Sequence, residues 1–182
     1  MTTIKLGSEH GRLLIKTGRS GLGRRAGHDL TIEATHWTGT LTLAGNATQV
    51  ADATADGSSV QITVPVDGLT VREGTGGLKP LTEQDRVKIA EALRDVLEAD
   101  RYPDITFTST RVDATATGAT VEGELTVRDR SEPLIVRLHT KNDRVLGEAT
   151  VEQTRWGIKP YSAFMGALKL ADDVGVEFDL QV

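Results

Sequence analysis

Chemistry in this chain has to come from histidines, carboxylates, hydroxyls and basic loops. The sequence contains no cysteine, which removes disulfides, thiolate nucleophiles and thiolate metal sites together. The densest cluster of candidates is GLGRRAGHDL, Gly21 to Leu30, with a G-x-G-x-x-A pattern (Gly21, Gly23, Ala26), two arginines and the neighbours His28 and Asp29. A dinucleotide fingerprint of this form needs a helix directly after the glycines, because the pyrophosphate sits on the free N–H groups of a helix N-terminus. The chain continues instead as HDLTIEATHW, where His28, Leu30, Ile32, Ala34 and His36 alternate with Asp29, Thr31, Glu33 and Thr35. That period of two is a strand, so the glycines read as a connection between strands and not as a phosphate cradle.

The same alternation argues against a catalytic dyad. Adjacent strand residues face opposite ways, which separates His28 from Asp29. His10, His28, His36 and His139 are scattered, and His28 and His36 would lie about 26 Å apart on a straight strand. Neither a metal site nor a cofactor is expected. With a net charge of -5, interspersed charges and 4% aromatic residues, the chain lacks the basic stripe and stacking platforms of a nucleic-acid binder. No stretch approaches the roughly 18 apolar residues of a membrane span, and MTTIKLGSEHGR has no apolar leader core. A cytoplasmic location is the expectation from the sequence as given. A homodimer through exposed edge strands or helix faces is compatible with the pattern.

The elements that position these residues are mostly strands. Val60, Ile62, Val64 and Val66 alternate in SSVQITVPV, Val121, Leu125 and Val127 in VEGELTV, and Val174, Val176, Phe178, Leu180 and Val182 in the last run. Shorter runs at 13–15, 41–43, 105–107, 134–138 and 145–151 bring the count to about eight to ten. The segment TEQDRVKIAEALRDVLEAD breaks the pattern. It places Val87, Ala90, Leu93 and Val96/Leu97 at helical spacing behind a Thr82/Asp85 cap, between Pro80 and RYP. One amphipathic helix over about 82–99 is predicted, its stripe a packing face. A second, short helical segment is predicted at about 161–168 in KPYSAFMGALKLADD. Trp156, Tyr161 and Phe164 there read as a plug closing one end of a barrel, or as a lid over a ligand mouth. Strands with one apolar face must pack on a second sheet or close on themselves, and alternation alone does not choose. The 182 residues suit a single domain, 1–182.

Several stretches together resemble the YceI-like family. They are AGHDLTIEATHW with LTLA, VDGLTVREGTGGLKPLTEQDR, LEADRYPDITFTSTRV followed by VEGELTVRDRSEPLIV, and RWGIKPYSAFMGALKLADDVGVEFDL. The pair RYPDITFTST and GELTVRDRSEPL is the most specific in order and spacing. The resemblance covers nearly the whole chain. It implies an extended antiparallel eight-stranded lipocalin-like β-barrel, mainly β, that binds a polyisoprenoid, an isoprenoid quinone or a similar lipid in its lumen without catalysing a reaction.

On that frame the aliphatic wall expected to contact ligand comprises Leu30, Ile32, Val64, Phe107 and Leu125. It continues through Val136, Phe164, Phe178 and Leu180. His28 should point inward near one end, satisfied by a backbone carbonyl or, alternatively, touching a ligand head group. Arg24 and Arg25 are rim candidates that could neutralise an anionic head, with Lys79 and Lys159 in neighbouring loops; ordinary solvated charge is the simpler reading. Two other functions stay open: an enzyme acting on an apolar isoprenoid or quinone substrate, and a structural or stress-related barrel packed solid with its own side chains.

Overall fold

The structure is a computed structural model that describes residues 1–21, 25, 27–46, 57–163 and 168–181. Its strands are β1 (Thr2–Gly7), β2 (Gly11–Ser20), β3 (Asp29–Ala34), β4 (Thr38–Leu43), β5 (Ser59–Pro65) and β6 (Leu69–Thr75) before an α-helix, α1 (Glu83–Val96). After it come β7 (Asp104–Thr115), β8 (Gly118–Val127), β9 (Arg130–Lys141), β10 (Arg144–Glu152), β11 (Ser162–Ala163) and β12 (Leu168–Gln181). All pairings are antiparallel, in one twelve-stranded sheet.

Eleven of the strands make eight walls, and β11 pairs beside β12 off that path. β1 and β2 are one wall kinked at Ser8–His10, and they pair with β4 and β3, which are one wall kinked at residues 35–37. β5 and β6, kinked at Val66–Gly68, pair in turn with β4 and β3. From β5 the ladder runs through β7, β8, β9, β10 and β12, and the pairing of β12 with β2 closes the ring. Closure removes the open edges that a sheet this long would otherwise present. The outer edge of β6 is covered separately, by Arg86 of α1, whose Nη1 donates to the carbonyls of Val71 at 2.7 Å and Arg72 at 2.9 Å.

The kinks explain one difference from simple alternation. Strict parity from Leu30 would carry His36 inward and Trp37 outward; the bend reverses them, leaving His36 exposed and Trp37 buried. The tight β8–β9 and β9–β10 hairpins turn through Arg128 (φ 57) and Asn142 (φ 54), left-handed as two-residue hairpin loops require. On the outer surface Glu33 ties three strands together, accepting from Arg12 at 3.3 Å and Arg72 at 2.6 Å. Burial raises the Glu33 pKa, but those two hydrogen bonds outweigh it and hold the carboxyl below its ordinary range.

The helix at 82–99 is present with its cap. Thr82 Oγ1 accepts from the Asp85 backbone N–H at 3.1 Å, and Asp85 Oδ2 accepts from the Thr82 N–H at 2.9 Å. Its inward stripe is rotated relative to the expected one: Val87 is 57% exposed, and Ile89, Ala92, Leu93 and Val96 face the barrel. The short helix expected at 161–168 is not formed at its ends. Ser162 and Ala163 pair with Lys169 and Leu168 as strands, and the residues between them, 164–167, lie outside the described residues. Hydrogen bonding to the neighbouring β12 satisfies the backbone there without a helical turn. Phe164 lies outside the described residues.

Candidate ligand-binding lumen

Because side chains alternate along every wall, each strand sends one apolar row inward. The rows do not meet across the axis. They leave a cavity of about 490 Å³ in the half of the barrel nearer α1 and a second of about 110 Å³ in the other half. The side chains of the described residues therefore do not fill the interior.

Most sequence-predicted residues come together here. His28, Leu30 and Ile32 reach the larger cavity from the start of β3, and Val64 from the end of β5. Phe107, Leu125, Val136 and Phe178 reach it from β7, β8, β9 and β12. Leu180 lines the smaller cavity instead, two residues further along β12. Of the rim candidates, Arg25 is exposed and Arg24 lies outside the described residues; Lys79 and Lys159 are exposed, and neither side chain lines the cavity.

Sequence reasoning missed part of the wall. Ile89, Ala92, Leu93 and Val96 of α1 roof the larger cavity, yet no residue of α1 is fully buried. A helix whose apolar side faces a void rather than a packed core has this signature. Leu13, Ile15 and Ile62 also contribute, and their alternation was legible. Five side chains from five walls, Leu13, Ile62, Phe107, Val136 and Phe178, line both cavities and form a waist between them.

Among the described residues, the charged and larger polar groups on the lining are Arg19, His28, Lys88, Gln153 and Tyr161 of the larger cavity, beside Thr17 there and Ser59 in the smaller one. Arg19 donates from Nε to Asp29 at 2.9 Å and from Nη1 to the Gly27 carbonyl at 2.7 Å, fastening the two strand ends on either side of the glycine loop. The His28 Nε2–H donates to the Lys79 carbonyl at 2.7 Å, which fixes the tautomer and binds the loop after β6 to β3. Gln153 donates to the Ala171 carbonyl at 3.1 Å, while Trp156, 1% exposed, donates its Nε1–H to the Leu125 carbonyl at 2.8 Å. Trp156 packs with Leu97, Ala99 and Ile158, closing one side of that barrel end. Tyr161, 53% exposed, also lines the larger cavity. Among the described residues no Asp or Glu lines either cavity.

A closed antiparallel barrel with an apolar lumen, a helical roof and a polar mouth is a lipocalin-like binding-protein fold. The chain belongs to the YceI-like family, whose model, described as the YceI-like domain, matches residues 15–182. Among solved structures, Burkholderia cenocepacia BcnA superposes with a TM-score of 0.58 at 15% identity, over 93% of this chain and 96% of that one. A Campylobacter jejuni YceI protein gives 0.55 at 11% identity, over 83% of this chain and 82% of that one. At these identities the likeness is one of fold. No curated protein matches the sequence significantly.

Proposed function

We propose that this protein binds, stores or carries an apolar amphiphile, such as a polyisoprenoid or an isoprenoid quinone, without chemically altering it. The tail occupies the larger cavity and the polar end stays at the mouth. The observation that carries this reading is the cavity itself: about 490 Å³ and predominantly apolar, with a few polar side chains such as Arg19, His28, Gln153 and Tyr161 on its lining. That size falls within the roughly 300–1,000 Å³ of small-molecule sites. At about 0.8 kcal/mol per buried methylene, each five-carbon unit gains roughly 3–4 kcal/mol before ordering costs, so a few units suffice for tight binding.

A catalytic role is the second reading, favoured by the gathering of His28, Lys88 and Tyr161 at the mouth. Proton transfer there would need a free base beside the substrate; His28 donates from Nε2 to the Lys79 carbonyl, which leaves Nδ1 as its basic nitrogen. Mass spectrometry of an organic extract separates the readings, using natively purified protein with a denatured control and an unrelated barrel from the same cells. The expected result is a stoichiometric isoprenoid or quinone released only on denaturation and unchanged by prolonged incubation with the protein. An empty extract from the native host would count against the carrier, and a converted species would favour the enzyme. For the rim, replacing Arg24 and Arg25 together by alanine should weaken anionic ligands and leave neutral chains unaffected; equal loss for both removes the rim role.

A further inference from the structure

The waist has a construction that open space alone does not require. Three glycines occupy inward-facing, mid-strand positions at this level: Gly39 of β4, Gly123 of β8 and Gly147 of β10. A side chain at any of them would collide with a large residue of the adjacent wall. At Gly147 it would meet the tip of the Phe178 ring, at Gly123 the tip of the Phe107 ring and at Gly39 the Ile62 Cδ1. None of the three has a left-handed backbone. They are glycine for space, the reading that close approach within a strand supports. The register agrees, with Gly147 directly opposite Phe178 and Gly39 directly opposite Ile62. Each neighbour is thereby drawn back against the barrel wall instead of standing on the axis.

We propose that this waist, with Phe107 and Phe178 seated on Gly123 and Gly147, sets the length of chain the lumen accepts. The proposal rests on the apolar-ligand reading and adds its length limit. A chamber of about 490 Å³, the size of an ordinary small-molecule site, takes a tail of a few prenyl units. Longer tails reach the waist and must move its side chains to enter the smaller chamber of about 110 Å³. The glycine seats are what keep those side chains from shortening the larger chamber.

The test is a binding series with geraniol, farnesol, geranylgeraniol and solanesol, read by displacement of a fluorescent apolar probe. For the wild type, affinity should climb at least about tenfold from geraniol to farnesol, because each buried methylene contributes severalfold, and then level off. Phe178→Leu, and independently Phe107→Leu, should move the plateau to geranylgeraniol. Gly147→Ala should move it down, so that farnesol gains less than about threefold over geraniol. Two opposite directions from one wall pair keep the test informative if one variant folds poorly. A plateau unmoved in folded variants of both kinds overturns the length role while leaving the carrier reading intact. Failure of all four alcohols to displace the probe from the wild type overturns both.

Discussion

The two ends of the barrel are built from the same alternating strands and behave differently. In the half away from α1, Leu6, Leu41 and Leu43 pack with Trp37, and Val112, Ala119, Val121, Leu138 and Val145 form an adjoining cluster, all nearly fully buried. Only about 110 Å³ is left between them. In the half beneath α1, Leu30, Ile89, Ala92, Leu93 and Leu125 point inward with equal regularity and stay only half-buried, lining a space of about 490 Å³. Inward direction and close packing are therefore separate properties. The period of two specifies the first, whereas the second depends on how far each wall stands from the one opposite.

That contrast can be broken most severely by Leu125→Arg. A guanidinium placed in an apolar wall with no carboxylate on the described lining has no partner, and an unpaired charge in such surroundings costs several kcal/mol. We expect loss of ligand uptake together with cooperative folding, followed by urea denaturation and probe binding. A normally folded, ligand-competent variant would mean that water fills the larger chamber. The sharper comparison is Leu43→Ala against Ile89→Ala. Leu43 is 0% exposed, so its truncation should cost about 2–5 kcal/mol of unfolding free energy. Ile89 faces existing space and should cost less than about 1.5 kcal/mol, there being fewer contacts to lose. Equal costs would show that the roof is as tightly packed as the far end.

How much of this was legible depends on the same distinction. Leu30, Ile32, Val64, Phe107, Leu125 and Val136 could be assigned to the lumen face from parity, and parity is a local property of the chain. The rotation of the α1 stripe could not, because Val87/Ala90/Leu93/Val96/Leu97 and Ile89/Ala92/Leu93/Val96 are both acceptable helical faces, sharing Leu93 and Val96; which one turns inward depends on where the void lies. Trp37 escaped because a bend between β3 and β4 resets the parity, and no residue type in THWT announces a bend. At the ends of the 161–168 stretch the few apolar residues suit either period, and pairing with β12 makes Ser162–Ala163 a strand; its middle lies outside the described residues. Gly123 and Gly147 carried a readable signal, glycine at an inward position of VEGELTV and VLGEATV, whose meaning required knowing that a phenylalanine stands on the next wall.

The smaller predictions concern the roof, where the two ends should differ in local stability rather than in global folding. Thr82→Ala removes the hydroxyl that accepts from the Asp85 N–H, which typically costs about 1 kcal/mol of helix stability. Amide exchange should quicken along α1 while the β7–β9 ladder keeps its protection. Acceleration in both regions would mean that roof and barrel open as one unit.

Acid titration of the cap is gentler still. The Asp85 carboxyl is held below its ordinary pKa, first by the Thr82 backbone N–H and then by the Thr82 hydroxyl. A carboxylate whose folded pKa is depressed contributes stability that is fully present above the unfolded value and is lost as pH falls through the folded one. The cap should therefore hold α1 at neutral pH, begin to weaken as pH falls through the ordinary aspartate range, and be lost below it. Protonated Asp85 can no longer accept both bonds as a charged group, and the negative charge that favours a helix N-terminus disappears with it. Exchange measured down a pH series, corrected for intrinsic rates, should show the α1 amides losing protection before those of β8. In Asp85→Asn that acid-dependent step should vanish, because asparagine retains an acceptor and does not titrate. If the step survives in Asp85→Asn, another carboxylate controls the roof, and the cap is only a local stop to the helix.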